Sequence, residues 1–329
     1  MPFALRRQTM PAAMTPAVTP RANQSQPPAS RSPRRPAQGA VAACVIALAL
    51  SACTSDRSSE CAPAGRWIDP ATGQPVTADG LSAGLAARPI VLLGEEHDNA
   101  AHHRWQLNVI EELQARRPVL VLGFEMFGRS SQPVLDQWVA GELDADQFLL
   151  AARWKETWGF DPQLYLPIFE FARRHKLPMR ALNVDRTLIR RVAREGLAAV
   201  PSTEREGIGD PAPALPAYRR WLAEVFAHRH APHGDRAAAV PDPAFERFVA
   251  AQLTWDRAMA EALAAAHAQP GAPLVVGIAG IGHLQNGWGI PHQLRDLGIV
   301  DAAVLLPVAA GTACADLPAG FADAVFVIE

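Results

Sequence analysis

Short apolar runs recur along this chain with helix-length amphipathic stretches between them, and few architectures accommodate that alternation. Pro89-Ile-Val-Leu-Leu93, Pro118-Val-Leu-Val-Leu122, Met179-Arg-Ala-Leu182, Leu274-Val-Val-Gly-Ile278 and Ala303–Leu306 each read as a short strand buried in a sheet. Leu107, Ile110 and Leu113 stand at helical spacing ahead of Arg116 and Arg117, and Leu164–His175 reads as a further helix. Strands that alternate with crossover helices pair in parallel, so the fold class is α/β, a parallel β-sheet flanked by helices. Val325–Ile328 is expected to add a final edge strand.

One interval breaks the pattern. From about 187 to 267 no strand-like run occurs, whereas Thr187–Leu197, Ala217–His228 and Phe245–Ala266 carry helical periodicity between Pro-rich segments. An all-helical subdomain inserted between sheet strands is expected there. The whole domain is expected to run over residues 67–329.

The N-terminus reads as an address. Arg34 and Arg35 precede an apolar run from Ala40 to Leu50, too short for a permanent span and of the length of a signal peptide's apolar region. Leu50-Ser51-Ala52-Cys53 then resembles a bacterial lipobox, which makes residues 1–52 a lipoprotein signal with a long extension, Cys53 the lipidated residue and 53–66 a tether. A secretory signal that happens to contain a cysteine, or a short anchor, is the alternative. The expected location is the cell membrane or outer membrane, with the domain facing the periplasm. Cys61 and Cys314 then remain for an oxidising compartment, either bridged or as two unrelated thiols.

Charge excludes one class of partner. Residues 1–52 hold six arginines and no acidic side chain, leaving 25 basic against 33 acidic groups, near −8, in the remainder. Nucleic acid is not an expected partner of such a surface.

Ligands of open parallel sheets bind outside the carboxyl ends of the strands. Here those ends read Gly94-Glu95-Glu96-His97-Asp98, Gly123-Phe-Glu125-Met126, Asn183-Val184-Asp185 and Gly280-Ile-Gly-His283. His97, Glu95, Glu125 and His283 form a chemically sensible divalent-metal set, for Zn, Mn, Co or Fe, because imidazole and carboxylate together suit such ions. A structural hydrogen-bond network at the strand ends explains the same residues equally well. No Gly-x-Ser-x-Gly elbow, phosphate loop or dinucleotide fingerprint accompanies them.

Leu93-Gly-Glu-Glu-His-Asp98, Gly123-Phe-Glu-Met126, Ala181-Leu-Asn183, Ala251-Gln-Leu-Thr-Trp-Asp256 and Ala279-Gly-Ile-Gly-His-Leu284 followed by Gly287-Trp-Gly-Ile-Pro291 resemble the ChaN family of iron-regulated lipoproteins, within the haem-binding-uptake/Tiki superfamily. The resemblance implies a lipid anchor, a role in haem or iron acquisition, and haem held between two copies of the chain with a tyrosinate on iron. The superfamily's Tiki-type metallopeptidases imply His97, Glu125 and His283 as site residues, and the alternative to haem binding is a Tiki-like metal-dependent hydrolase acting on a peptide or ester in the periplasm, with Glu96 and Glu125 as its catalytic groups. Whether the protein is an enzyme stays open at this point.

The chain has two tyrosines. Tyr165 sits in an apolar helix, where a core role is expected. Tyr218, in Pro216-Ala-Tyr-Arg-Arg-Trp221, is the expected iron ligand, with Arg219 and Arg220 for the propionates; an ordinary helix tyrosine is the alternative. His228 and His230 lie in a small histidine cluster that could supply a second haem ligand or form a solvated loop.

Overall fold

The structure is a computed structural model that describes residues 61–230 and 242–328, with only the backbone of His230. The signal segment 1–52, Cys53, the first part of the tether and the His230 side chain lie outside the described residues. No described helix is long and apolar enough to cross a membrane.

Eight strands form one sheet in the order β2-β1-β8-β7-β3-β6-β4-β5: β1 (Trp67–Asp69), β2 (Gln74–Val76), β3 (Ile90–Glu95), β4 (Leu120–Gly128), β5 (Met179–Asn183), β6 (Leu274–Gly280), β7 (Ala303–Ala309) and β8 (Ala324–Ile328). The pairs from β8 through to β5 are all parallel, as the alternation of apolar runs and helices dictates. Only the β1–β2 and β1–β8 pairs are antiparallel. β8 is therefore not the expected edge strand. β1 covers its outer side, and β1 is three residues long, too short to leave a periodic trace in the sequence.

The helices are α1 (Ala78–Ala86), α2 (Ala100–Arg116), α3 (Gln132–Ala140), α4 (Ala145–Ala151), α5 (Trp154–Thr157), α6 (Leu166–His175), α7 (Arg186–Glu195), α8 (Pro216–His230), α9 (Pro243–His267) and α10 (Gly289–Asp296). Pleat alternation sorts the sheet's side chains between two layers. Val91 and Leu93 of β3 join Trp105, Ile110 and Leu113 of α2 in one core. Ile90 and Leu92 join Met259 and Leu263 of α9 and Leu294 of α10 in the other.

The helical interval is not a body separate from the sheet. The second half of α9 buries Met259, Leu263 and Ala266 against the strands, while its first half, through Phe245 and Val249, carries the apolar stripe of α8. One 25-residue helix thus serves both as a crossover helix of the sheet and as the platform of the insertion. Its start is fixed by Asp242, whose carboxylate accepts from the Ala244 N–H, followed by Pro243 at the first position. A disulfide joins Cys61 to Cys314 across 253 positions of sequence.

Candidate functional site

The site is built on the carboxyl ends of three adjacent strands, β3, β6 and β4. Register places Glu95 of β3 opposite Gly280 of β6. Alternation turns Glu95 to the α2 side, with Val91 and Leu93, and Glu125 of β4 to the α9 side, opposite to Phe124 and Met126. The two carboxylates therefore straddle the rim of the sheet, and both are buried.

His97 follows the end of β3. Its Nδ1 donates to Glu95 Oε1 at 2.5 Å, and its ring packs edge-on to Trp158 and Phe160, at 4.5 and 5.2 Å between centroids. Tyr165 closes the same corner from below: its hydroxyl lies 3.2 Å from the His97 carbonyl and 3.4 Å from Glu95 Oε1. Burial pulls the His97 pKa down, but the hydrogen bond and charge of Glu95, with the charge of Glu125, outweigh it and leave the ring above its ordinary value. The other oxygen of Glu95, Oε2, is buried and accepts no hydrogen bond; His103 Nε2 stands 3.9 Å away.

His283 sits in the turn after β6. Its Nδ1 donates to Asp256 Oδ1 at 2.6 Å, and its Nε2 lies 3.6 Å from Glu125 Oε1. Asp256, on α9, is fully buried, and its second oxygen accepts from the Tyr218 hydroxyl at 2.9 Å. Burial lowers the His283 pKa, yet the Asp256 and Glu125 charges raise it further, to about 9. Burial first, then the Asp256 charge, pushes the Tyr218 phenol well above its ordinary value. Glu125 is held at the centre, where its Oε2 accepts from the Gly280 N–H at 2.6 Å.

Glycines make the close approaches possible. A Cβ at Gly280 would stand 3.1 Å from His97 Cε1, and one at Gly282 would stand 3.0 Å from the Trp221 ring.

Of the expected metal set, Glu95, His97 and Glu125 bring a ligating atom each within 4.8 Å of one another, and His283 adjoins through Glu125. Glu96 does not join them: it lies one residue past the end of β3, its side chain is exposed, and its backbone N–H donates to His102 Nδ1. Asn183 and Asp185 also turn away. Asn183 donates to the Glu125 carbonyl, and Asp185 caps α7 by accepting from Thr187.

The expected haem face of α8 is dispersed. Tyr218 is buried on the same stripe as Leu222 and Phe226, stacked on Trp221 and Trp288 at 5.9 and 5.8 Å. Arg219, one residue on and 100° round the helix, pairs with Glu246 and lies over Phe245. Arg220 and His228 are exposed on the outer face, and His228 Nδ1 donates to the Glu224 carbonyl. The four-residue spacing of Tyr218, Leu222 and Phe226 was the signal for burial. Asp256 and Tyr165 were missed as site residues, because each enters through a tertiary contact across 27 and 68 or more positions.

The same family emerges from comparison with known proteins. The family described as haem-binding uptake, Tiki superfamily, ChaN matches residues 81–294, more than half of the chain. Among solved structures, the chain is similar to ChaN of Campylobacter jejuni, described as binding haem cofacially, with 18% identity and a TM-score of 0.63 over 80% of this chain and 96% of that one. Weaker likenesses, confined to the general fold, are to RRSP, a MARTX toxin effector domain from Vibrio vulnificus (18% identity, TM-score 0.40, 71% of this chain and 36% of that one), and to the erythromycin esterase EreC (14%, 0.43, 74% and 77%). No curated protein matches. With a parallel sheet, the strand-end motifs and a family match that spans both site histidines, this chain belongs to the haem-binding uptake, Tiki superfamily, ChaN family.

Proposed function

We propose that the protein is a haem-binding lipoprotein that serves haem or iron acquisition, tethered to the cell membrane or outer membrane through Cys53, with its domain in the periplasm. The observation that carries this reading is the family match over residues 81–294. The lipobox-like Leu50–Cys53 supports the anchor, and haem held between two copies of the chain is part of the proposal.

Tyrosinate ligation does not fit the residues present. Tyr218 and Tyr165 are both buried; the Tyr218 hydroxyl donates to buried Asp256, and the Tyr165 hydroxyl lies between the His97 carbonyl and Glu95. Coordination by Tyr218 would require its oxygen to leave Asp256 and its ring to leave the Trp221–Trp288 stack. Haem therefore enters as a ligand of the family with no axial tyrosine assigned, and the exposed stripe of Arg220 and His228 is the part of the expected surface that remains open to it. Titrating the full-length chain with hemin tests the proposal. A saturable Soret shift with dimerisation supports it, and the lack of any saturable shift overturns it.

A second reading is favoured by one observation: Glu95, His97 and Glu125 converge within 4.8 Å while Glu95 Oε2 accepts no hydrogen bond, a donor set and an orphaned acceptor that fit a divalent cation. A bound ion of that kind supplies a Lewis acid and an activated water, the chemistry of a periplasmic hydrolase of peptides or esters. Around it, His97, Glu125 and the Oε2 oxygen of Glu95 would bind, Glu95 Oε1 and Asp256 would orient the two imidazoles, and Trp158 and Phe160 would exclude water from His97. Elemental analysis of the chain as purified, repeated on Glu125→Gln, tests it. A stoichiometric ion lost in the variant supports the reading, and a metal-free wild type that takes up no added zinc overturns it.

A further inference from the structure

Both tyrosines of this chain end on the carboxylate that orients a site histidine. On the β3 side the order is Tyr165, Glu95, His97, and on the β6 side it is Tyr218, Asp256, His283. The two relays share no element of secondary structure, yet each runs phenol, carboxylate, imidazole Nδ1, and both converge on Glu125. A carboxylate that holds an imidazole by one oxygen can still rotate about its own side-chain torsions. A second donor removes that freedom, and in a buried setting the correct ring orientation then comes at no further cost.

We propose that Tyr218 and Tyr165 are positioning residues of the strand-end site, which clamp Asp256 and Glu95 so that His283 and His97 keep Nδ1–H on their carboxylates and Nε2 free on the Glu125 side. The inference rests on the second reading, that the strand-end cluster is a working site. Two details of the geometry rank the clamps. Tyr218 and His283 take different oxygens of Asp256, at 2.9 and 2.6 Å, and so fix the carboxylate plane. Tyr165 and His97 share Oε1 of Glu95, with the phenol at the longer distance of 3.4 Å and the His97 carbonyl, at 3.2 Å, competing for its one proton. Tyr218 is the tighter clamp, and its stacking on Trp221 and Trp288 holds the phenol in register.

The direct test reads the imidazole protons. In the full-length chain labelled with 15N in its histidine rings, we expect two strongly downfield Nδ1–H resonances, assigned by their loss in His97→Gln and His283→Gln. Tyr218→Phe, which keeps the ring and its stacking, should shift the His283 resonance alone. Tyr165→Phe should shift the His97 resonance alone, and by less. Asp256→Asn should abolish the His283 signal, but Tyr218→Phe decides the matter if that variant does not fold. Both resonances unmoved in Tyr218→Phe would overturn the proposal.

Two parallel titrations separate this failure from that of the parent readings. Zinc competition should show binding about tenfold weaker in Tyr165→Phe, whose carboxylate partner orients the ligand His97; a wild type that takes up no zinc sinks the metal reading and leaves the proton readout to decide the clamp. Hemin should bind Tyr218→Phe with the wild-type spectrum. Loss of a tyrosinate charge-transfer band in Tyr218→Phe would overturn the assignment of this residue to the strand-end site.

Discussion

The two halves of the strand-end site carry the same hydrogen-bond pattern on different scaffolding. His97 and its carboxylate Glu95 are two residues apart at the end of one strand, and the phenol comes from the segment leading into α6. His283 and Asp256 are 27 residues apart, on a turn and on the long helix α9, and the phenol comes from α8 of the inserted segment. The local half leaves a buried oxygen of Glu95 unsatisfied, whereas the dispersed half satisfies both oxygens of Asp256. The pairing of imidazole with buried carboxylate is thus achieved by whatever elements reach the rim, and the half assembled from farther away is the more completely hydrogen bonded.

Breaking the dispersed half should cost most. Asp256→Ala removes a fully buried carboxylate and strands both the His283 ring and the Tyr218 hydroxyl, so a loss of about 3–5 kcal/mol is expected in denaturant unfolding, against a smaller loss for Glu95→Ala, whose carboxylate already has one oxygen without a partner. An equal cost for the two would mean that the extra hydrogen bond of the dispersed half stabilises nothing. Removing the bridge by Cys61→Ser with Cys314→Ser should cost about 2–5 kcal/mol of stability while leaving both halves intact, a control that separates global loosening from damage to the site. If the double serine variant altered zinc or hemin uptake, the site would not be confined to the strand ends.

The two glycines sharpen the comparison. Gly280→Ala presses a methyl on the His97 ring and Gly282→Ala presses one on Trp221, each costing about 1–3 kcal/mol, with the first disturbing the local half and the second the dispersed half. Ring-proton spectra of the two variants check this, and the outcome to look for is a disturbance that stays in its own half.

Acid should act on the local half first. His102, in the first turn of α2, accepts the Glu96 N–H with Nδ1 and so holds the loop that carries His97; burial, with the charge of His103, lowers its pKa from 6.5 to about 4. The neutral ring is the folded form, so its contribution is complete above pH 6.5 and is lost as the pH falls from there toward 4, where the unfolded chain takes the proton first. Protection factors of the amides at residues 95–103, taken relative to the unfolded chain at each pH, should fall across that window while those at residues 280–283 hold, and His102→Asn should abolish that fall.

Much of the fold was legible. Runs such as Ile90–Leu93 and Leu274–Ile278 are apolar on both faces because they lie between two helical layers, and that leaves a mark in the sequence which does not depend on partners. β1 left none, because three residues show no period, and so β8 looked like an edge. Within the site, His97, Glu125 and His283 stood out because each follows or ends an apolar run. Glu96 seemed equal to Glu95, but only one of two neighbours can face the core, and the adjacent residue is turned to solvent. Tyr218 suggested an exposed ligand beside Arg219 and Arg220, although its spacing with Leu222 and Phe226 already marked it as buried.

The sequence by itself determined the layered α/β architecture, the direction of the strands and which strand ends carry ionisable groups, because periodicity and burial are properties of neighbouring residues. Only the tertiary structure decided which carboxylate holds which imidazole, that Glu125 sits between them and that the two tyrosines point inward. Those choices depend on register between β3, β6 and β4 and on where α8 and α9 cross the rim, and a hydrogen bond of 2.6 Å between residues 256 and 283 has no local cause.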